Sequence, residues 1–299
     1  MADGFVSTFI SAPDGLRLHA RLYGNRASPA LPVICLPGLT RTAADFDALA
    51  MALADDKLRP RWVIALDYRG RGDSEYDRDP ANYNLQVELA DVIAVATALD
   101  ALPAVFIGTS RGGILTMLLA LARPSAIAGA VLNDIGPVIE PQGLMRIKGY
   151  VGKMPQPRDF EDAAEILRRL FDAQFPKLTA ADWLASAQRA FKEQNGTLVP
   201  TYDVNLAKAM AGVNFEKPPP SLWKEFDALS ATPLMVVRGT NSDILSAATV
   251  EEMRTRRPTL ETLEVADQGH APLLAEVETT TCIADFTQRC DTVRGQPKQ

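Results

Sequence analysis

The chain has 299 residues, 47% of them hydrophobic and 23% charged, with a formal net charge of −6. Such a length and balance suit a globular protein of one large or two small domains able to bury a substantial core. With a negative net charge and no run of about five or more Lys or Arg, the sequence excludes the electrostatic footprint of a DNA, RNA or anionic-membrane binder.

The first elements read as antiparallel strands. Residues 5–10 and 16–23 flank Pro13-Asp14-Gly15, a turn in which Pro fixes φ and Gly accepts a positive one. Apolar strand candidates follow at 32–36, 62–66, 104–107 and 127–132, alternating with helical patterns near 42–54, 85–100 and 111–122. Alternation of this kind predicts right-handed βαβ units and a mainly parallel sheet. The rhythm breaks after Asn133-Asp134-Ile135-Gly136-Pro137, and no convincing strand is legible from there to residue 232. Instead Phe160, Ala163, Ala164, Leu167, Leu170 and Phe171 recur at helical spacing, with similar patterns over 180–192 and 202–210. Strand and helix then alternate again: 234–237, a helix near 247–257, 262–265, and a last helix near 273–289. Residues 296–299 read as a frayed tail. The expected organisation is one α/β core, 1–134 and 233–299, interrupted by a helical cap over 135–232.

No stretch of about 18 apolar residues offers a membrane span. The N-terminal Met-Ala-Asp-Gly-Phe-Val-Ser lacks the regions of a signal peptide. Cys35, Cys282 and Cys290 make no disulfide framework. The last two fall on one helix, about 12 Å apart at about 1.5 Å rise per residue, too far to bond. Asn195-Gly196-Thr197 matches a glycosylation sequon, which carries no weight without secretion. A reduced, cytoplasmic protein is the expectation. With two histidines and no C-x-x-C, no metal site of His or Cys ligands is expected.

Chemistry concentrates at residues 104–113. The apolar run Ala104-Val105-Phe106-Ile107 leads directly into Gly108-Thr109-Ser110-Arg111-Gly112, and an apolar helical run follows. Strand, G-x-S-x-G and helix in succession is the setting of a nucleophile elbow. Gly108 and Gly112 allow the close approach, and Ser110 stands at the apex with its hydroxyl out of the sheet. A serine hydroxyl needs a general base to act as a nucleophile near neutral pH. His19 lies on the polar side of an alternating strand and reads as solvated. His270, in the loop after strand 262–265, sits where open α/β sheets place their sites. A carboxylate must orient that base. Asp243, in the loop after strand 234–237, is the leading candidate and fits the chain order Ser, Asp, His. It could instead be a helix N-cap, and Asp134, at the end of strand 127–132, is the alternative acid. The oxyanion of an acyl-transfer step calls for two N–H donors. Arg111, next to the nucleophile, is one, and Leu39, in Pro37-Gly38-Leu39-Thr40, is the other, since Pro37 has no N–H.

These residues resemble the α/β-hydrolase superfamily, in its capped branch of esterases, lactonases, C–C hydrolases and cofactor-free haloperoxidases. Asp67-Tyr68-Arg69-Gly70-Arg71-Gly72-Asp73-Ser74 resembles that branch's D-x-R-G-x-G-x-S segment, which implies a structural loop beside the site. The chain departs from many relatives in having Pro37-Gly38 where they have His-Gly. Ser110 separates it from haloalkane dehalogenases and epoxide hydrolases, which carry Asp there. The resemblance implies an α/β-hydrolase fold with the cap inserted after the sixth strand. It also implies a serine hydrolase acting on a small, mainly apolar ester or lactone without a cofactor. C–C bond cleavage on the same triad and a non-catalytic small-molecule receptor are the alternatives. Trp183 and Phe215 in the cap and Arg41 beside the oxyanion loop are candidate substrate contacts. The oligomeric state, monomer or homodimer, stays open.

Overall fold

The computed structural model describes residues 4–211 and 219–294. In chain order the elements are β1 (Val6–Ser11), β2 (Arg17–Tyr23), β3 (Val33–Leu36), α1 (Asp47–Ala54), β4 (Val63–Leu66), α2 (Leu85–Ala98), β5 (Ala104–Thr109), α3 (Arg111–Ala122) and β6 (Ile127–Asn133). They continue as α4 (Pro141–Tyr150), α5 (Phe160–Phe171), α6 (Ala180–Ala190), β7 (Phe191–Gln194), β8 (Thr197–Pro200), α7 (Leu206–Ala211), α8 (Trp223–Asp227), β9 (Leu234–Gly239), α9 (Ala247–Arg256), β10 (Glu261–Val265) and α10 (Val277–Arg294).

Eight strands form one sheet in the order β1-β2-β4-β3-β5-β6-β9-β10. The β1–β2 and β2–β4 pairs are antiparallel, and every later pair is parallel. Strands buried on both faces need no polar side, and so β3 reads VICL and β4 reads VIAL, with all eight residues buried. Side chains alternate across the sheet with period two, and the core divides accordingly. Ile34, Leu36, Ile64, Phe106 and Leu132 pack with α2 and α3 through Val92, Val95, Leu115 and Leu119. Val33, Cys35, Val63, Ile107 and Val131 pack on the opposite face with α1 and α10 through Leu49, Leu53, Ile283 and Phe286. Each such side chain, fully buried, contributes about 1.5–3 kcal/mol. The result is the α/β-hydrolase fold, a mostly parallel central sheet flanked by helices.

The insertion between β6 and β9 is not uniform. Its α5 and α6 build an apolar cluster of their own, Ala163, Leu167, Phe171, Trp183, Ala187 and Phe191. In contrast, Ile147, Tyr202, Leu206 and Phe226 join the main core. Nor is it strand-free: β7 and β8 form an antiparallel hairpin, Phe191↔Pro200 to Gln194↔Thr197. Asn195 (φ 53°) and Gly196 (φ 75°) supply two positive φ values, which such a two-residue turn demands. The Asn-Gly pair is thus a turn signal. The segment after β8 is pinned to the core: Gly72 N–H donates to Thr201 O (2.7 Å) and Asp203 N–H to Gly70 O (2.7 Å). Among the described residues no helix is long and apolar enough to cross a membrane. Residues 296–299, expected to fray, lie outside the described residues.

Candidate active site

β5 ends at Thr109 and α3 begins at Arg111, which leaves Ser110 alone in the turn with φ 51° and ψ −111°. A β-carbon on Gly108 would meet Gly112, and one on Gly112 would meet the carbonyl of Leu36 on β3. Only glycine lets strand, turn and helix close this tightly. Ser110 N–H donates to Asn133 O (2.9 Å), which ties the elbow to the neighbouring strand β6. The hydroxyl is thereby fixed at the carboxyl end of the sheet.

His270 stands in the loop after β10, with Nε2 2.8 Å from Ser110 Oγ and Nδ1 2.8 Å from Asp134 Oδ2. Asp134 follows β6 directly, and its side chain is fully buried. Its Oδ1 accepts from Gly239 N–H (2.9 Å) and its Oδ2 also accepts from Ser242 Oγ (2.6 Å). These bonds fix the carboxylate, and with it the tautomer that leaves Nε2 free to accept from Ser110.

The expected acid, Asp243, has other work. Its two oxygens take the guanidinium of Arg146 on α4, at 2.6 and 2.8 Å. Burial raises its pKa, but the hydrogen bonds and charge of Arg146 outweigh that and hold it below the ordinary carboxylate value. The sequence order Ser, Asp, His is satisfied by Asp134 as well as by Asp243, so order could not choose between them. Geometry separates them: Asp134 lies against His270 Nδ1, whereas Asp243 lies against Arg146.

Leu39 lines the cavity that holds Ser110 and His270. Arg111 opens α3, where the first N–H groups of a helix have no acceptor inside it. Both residues are braced by one buried carboxylate that sequence reasoning did not single out. Glu88 on α2 accepts from Arg71 NH1 (2.8 Å) and Arg111 Nε (2.5 Å), and Arg71 Nε donates to the carbonyl of Leu39 (2.9 Å). Burial pushes the Glu88 pKa up, yet the two guanidiniums bring it below its usual value. A Glu on a predicted helix carries no sequence mark of burial; only the fold shows it. The Arg111 side chain is thereby committed to Glu88.

The cavity beside Ser110 measures about 720 Å³. Its walls include Tyr150, Phe171 and Phe191 from the insertion, but also Arg41, Asp45 and Arg189. Charged groups thus stand among the apolar ones on this wall. Burial raises the Tyr150 pKa against the pull of Arg41 and Arg146, so its hydroxyl stays neutral at this wall. Trp183 is absent from the walls of this cavity. It is core of the α5–α6 cluster and touches only a small secondary cavity shared with Arg41 and Phe171. Phe215 lies outside the described residues.

His19 is not solvated, as its strand pattern suggested, but fully buried. Its Nδ1 bonds Asp67 Oδ2 (2.7 Å) and its Nε2 bonds Ser7 Oγ (3.0 Å). Asp67 also accepts from Ala43 N–H (2.7 Å), just beyond the oxyanion loop. Asp67 and Ser74 from the segment after β4, with Ser7 and Phe9 from the neighbouring β1, enclose it, which the alternation alone could not reveal. Asp73 brings a third ligand-type group within 4.8 Å, but the His19–Asp67 atoms are already spent on hydrogen bonds. The D-x-R-G-x-G-x-S segment thus anchors the loop that carries Leu39.

Comparison with known proteins agrees with this architecture. The chain is 33% identical over 283 residues to the 3-hydroxybutyrate-oligomer hydrolase of Cupriavidus necator, covering 91% of this chain and 93% of that protein. It is 25% identical to the 2-(acetamidomethylene)succinate hydrolase of Mesorhizobium japonicum, over 78% of this chain and 79% of that one. An α/β hydrolase of Novosphingobium aromaticivorans, known from its crystal structure, superposes with a TM-score of 0.87 at 41% identity, over 96% of this chain and 99% of that one. The model of the alpha/beta hydrolase family matches residues 33–280, and with the fold, the elbow and these relatives it makes the chain a member of that family and a hydrolase.

Proposed function

We propose that this hydrolase cleaves a carboxylic ester by covalent catalysis at Ser110. The observation that carries the reading is the continuous hydrogen-bonded series Ser110 Oγ, His270 Nε2, His270 Nδ1 and Asp134 Oδ2. Ser110 Oγ attacks the ester carbonyl while His270 Nε2 takes its proton, and buried Asp134 stabilises the imidazolium. The N–H groups of Leu39 and Arg111 receive the oxyanion. Collapse expels the alcohol, which carries off the proton from His270. Water then adds to the acyl-enzyme with His270 as base, and the acid leaves as Ser110 recovers its proton. A lactone opens by the same steps, and no cofactor enters the balance.

The insertion over 135–232 acts as the cap, through Tyr150, Phe171 and Phe191 on the cavity wall. The name of the Cupriavidus relative supports short aliphatic hydroxy-acid esters as the substrate class. Kinetics on aryl esters of graded acyl length, followed by fluorophosphonate labelling and mass spectrometry, test the reading. Saturable hydrolysis with the label on Ser110 is expected; no turnover, or a label elsewhere, defeats it.

A further inference from the structure

The cations around the cavity differ sharply in how they are used. Arg21 donates to both oxygens of Asp47 at 2.9 and 2.7 Å, Arg111 is held by Glu88, and Arg146 by Asp243. Arg41 is different. Its nearest carboxylate oxygen, on Asp45, is 3.9 Å from NH1, and among the described residues its guanidinium makes no hydrogen bond. Arg189, on α6, reaches the same Asp45 oxygen at 3.5 Å, and its guanidinium donates to Ser186 Oγ at 3.2 Å. Two guanidiniums therefore approach one carboxylate oxygen without a hydrogen bond to it. Of the other wall carboxylates, Asp47 has Arg21 and Asp182 has the backbone and hydroxyl of Thr179, while Asp73 stands further along the same wall.

Position matters as much as charge. A methyl group placed on Gly38 would lie 3.4 Å from Arg41 Cγ and 3.9 Å from Ser110 Cβ. The stem of Arg41 is thus a near neighbour of the nucleophile, with its head in the same cavity. A guanidinium offers a planar fork that matches a carboxylate, and pairs of this kind are stronger than neutral hydrogen bonds.

We propose that Arg41 and Arg189 form a subsite for one carboxylate of the substrate, which makes the preferred substrate an ester of a hydroxy acid ending in a free acid. The subsite takes one carboxylate, and because the Arg41 stem lies beside the nucleophile it directs cleavage to the ester bond nearest the acid end. Arg41 comes from the loop before α1 and Arg189 from the insertion, so the bound carboxylate bridges the two. This inference rests on the ester-hydrolase reading of Ser110.

The test compares a linear dimer of 3-hydroxybutyrate with its primary carboxamide, which has the same scissile bond and no charge. The expected result is a kcat/KM for the free acid at least about tenfold above that for the amide, about 1.4 kcal/mol. Arg41→Gln and Arg189→Gln should each bring that ratio down, and the double variant should bring it to about one. Arg41→Lys should retain part of it, because charge survives and the fork does not. Equal rates for acid and amide in the native protein, or a preference that persists in the double variant, overturn the subsite. If aryl esters are turned over and Ser110 is labelled while acid and amide are equal, only the subsite fails. If no ester is cleaved and Ser110 stays unlabelled, the hydrolase reading fails and the subsite falls with it.

Discussion

Asp134 and Gly239 meet across the ends of two adjacent strands, the Gly239 N–H donating to Asp134 Oδ1 at 2.9 Å while the other oxygen faces His270. A carboxylate held from one side by backbone and from the other by imidazole cannot turn away. Asp134→Asn should keep the fold but present an amide where an acceptor is needed, lowering kcat by about 10⁴ as in a comparable serine triad. Asp243→Asn should lower kcat far less, by under about tenfold. Steady-state kinetics of the two variants on one aryl ester decide between them, and the reverse ranking would return the role to Asp243.

Asp243→Asn has its own signature in acid. The Asp243 pKa is lowered in the folded protein through Arg146, against the opposing effect of burial. A group with a depressed folded pKa contributes stability above its unfolded value, near 3.8, and loses it as pH falls through the folded one. Urea midpoints should therefore be lower for Asp243→Asn than for the native protein at pH 6. That difference should shrink below about pH 4. A difference that is flat from pH 6 to pH 3 would mean that the Arg146 pair contributes nothing through charge.

Glu88→Gln removes the charge between the buried guanidinium of Arg71 and the partly exposed one of Arg111 while keeping its volume. Breaking a buried pair this way costs about 3–5 kcal/mol of stability. Because Arg71 bonds the carbonyl of Leu39, the change should also loosen the oxyanion loop. A transition-state analogue such as a boronic acid should lose affinity in step with kcat, while KM moves little. Thermal unfolding and boronate inhibition measured together check this. Lost stability with undiminished boronate affinity would make the brace purely structural.

Phe171→Ala should change the acyl-length profile, because Phe171 forms part of the wall of the main cavity. Each methylene accommodated is worth about 1–3 kcal/mol of discrimination, so the change will be graded. Trp183→Ala should instead cost stability, about 3–5 kcal/mol for a large aromatic in a packed cluster, and leave the profile nearly as it was. Rates on a homologous series of esters, with unfolding midpoints for both variants, separate the two effects.

Most of the core was legible because its signals are local. Apolar runs such as VICL and VIAL announce doubly covered strands, and Gly108-Thr109-Ser110-Arg111-Gly112 announces a tight strand-to-helix turn. Ser110 and His270 followed from that turn and from a shortage of histidines. What was not legible depends on neighbours distant in sequence. The burial of His19 depends on Asp67 and Ser74 closing over it, and the partner of His270 depends on which loop ends meet it. The Glu88 brace needs three elements at once. The β7–β8 hairpin was within reach, since Asn195-Gly196 is a strong turn signal, but the short strands beside it carry little apolar alternation.

The register of the sheet has a consequence for how activity arises. Leu36 pairs with Gly108, Thr109 with Asn133, Asn133 with Val237, and Gly239 with Val265. The loops carrying Leu39, Ser110, Asp134 and His270 leave the ends of that ladder. Their separation is long in sequence, and each parallel pairing closes a large loop before it contributes anything. No sub-assembly of strands brings nucleophile, base and acid together, and slipping one strand by a single residue would turn its side chains to the other face. Turnover is therefore an all-or-none report on the native ladder. During refolding, esterase activity should return only with the last strand pairing, later than helix content.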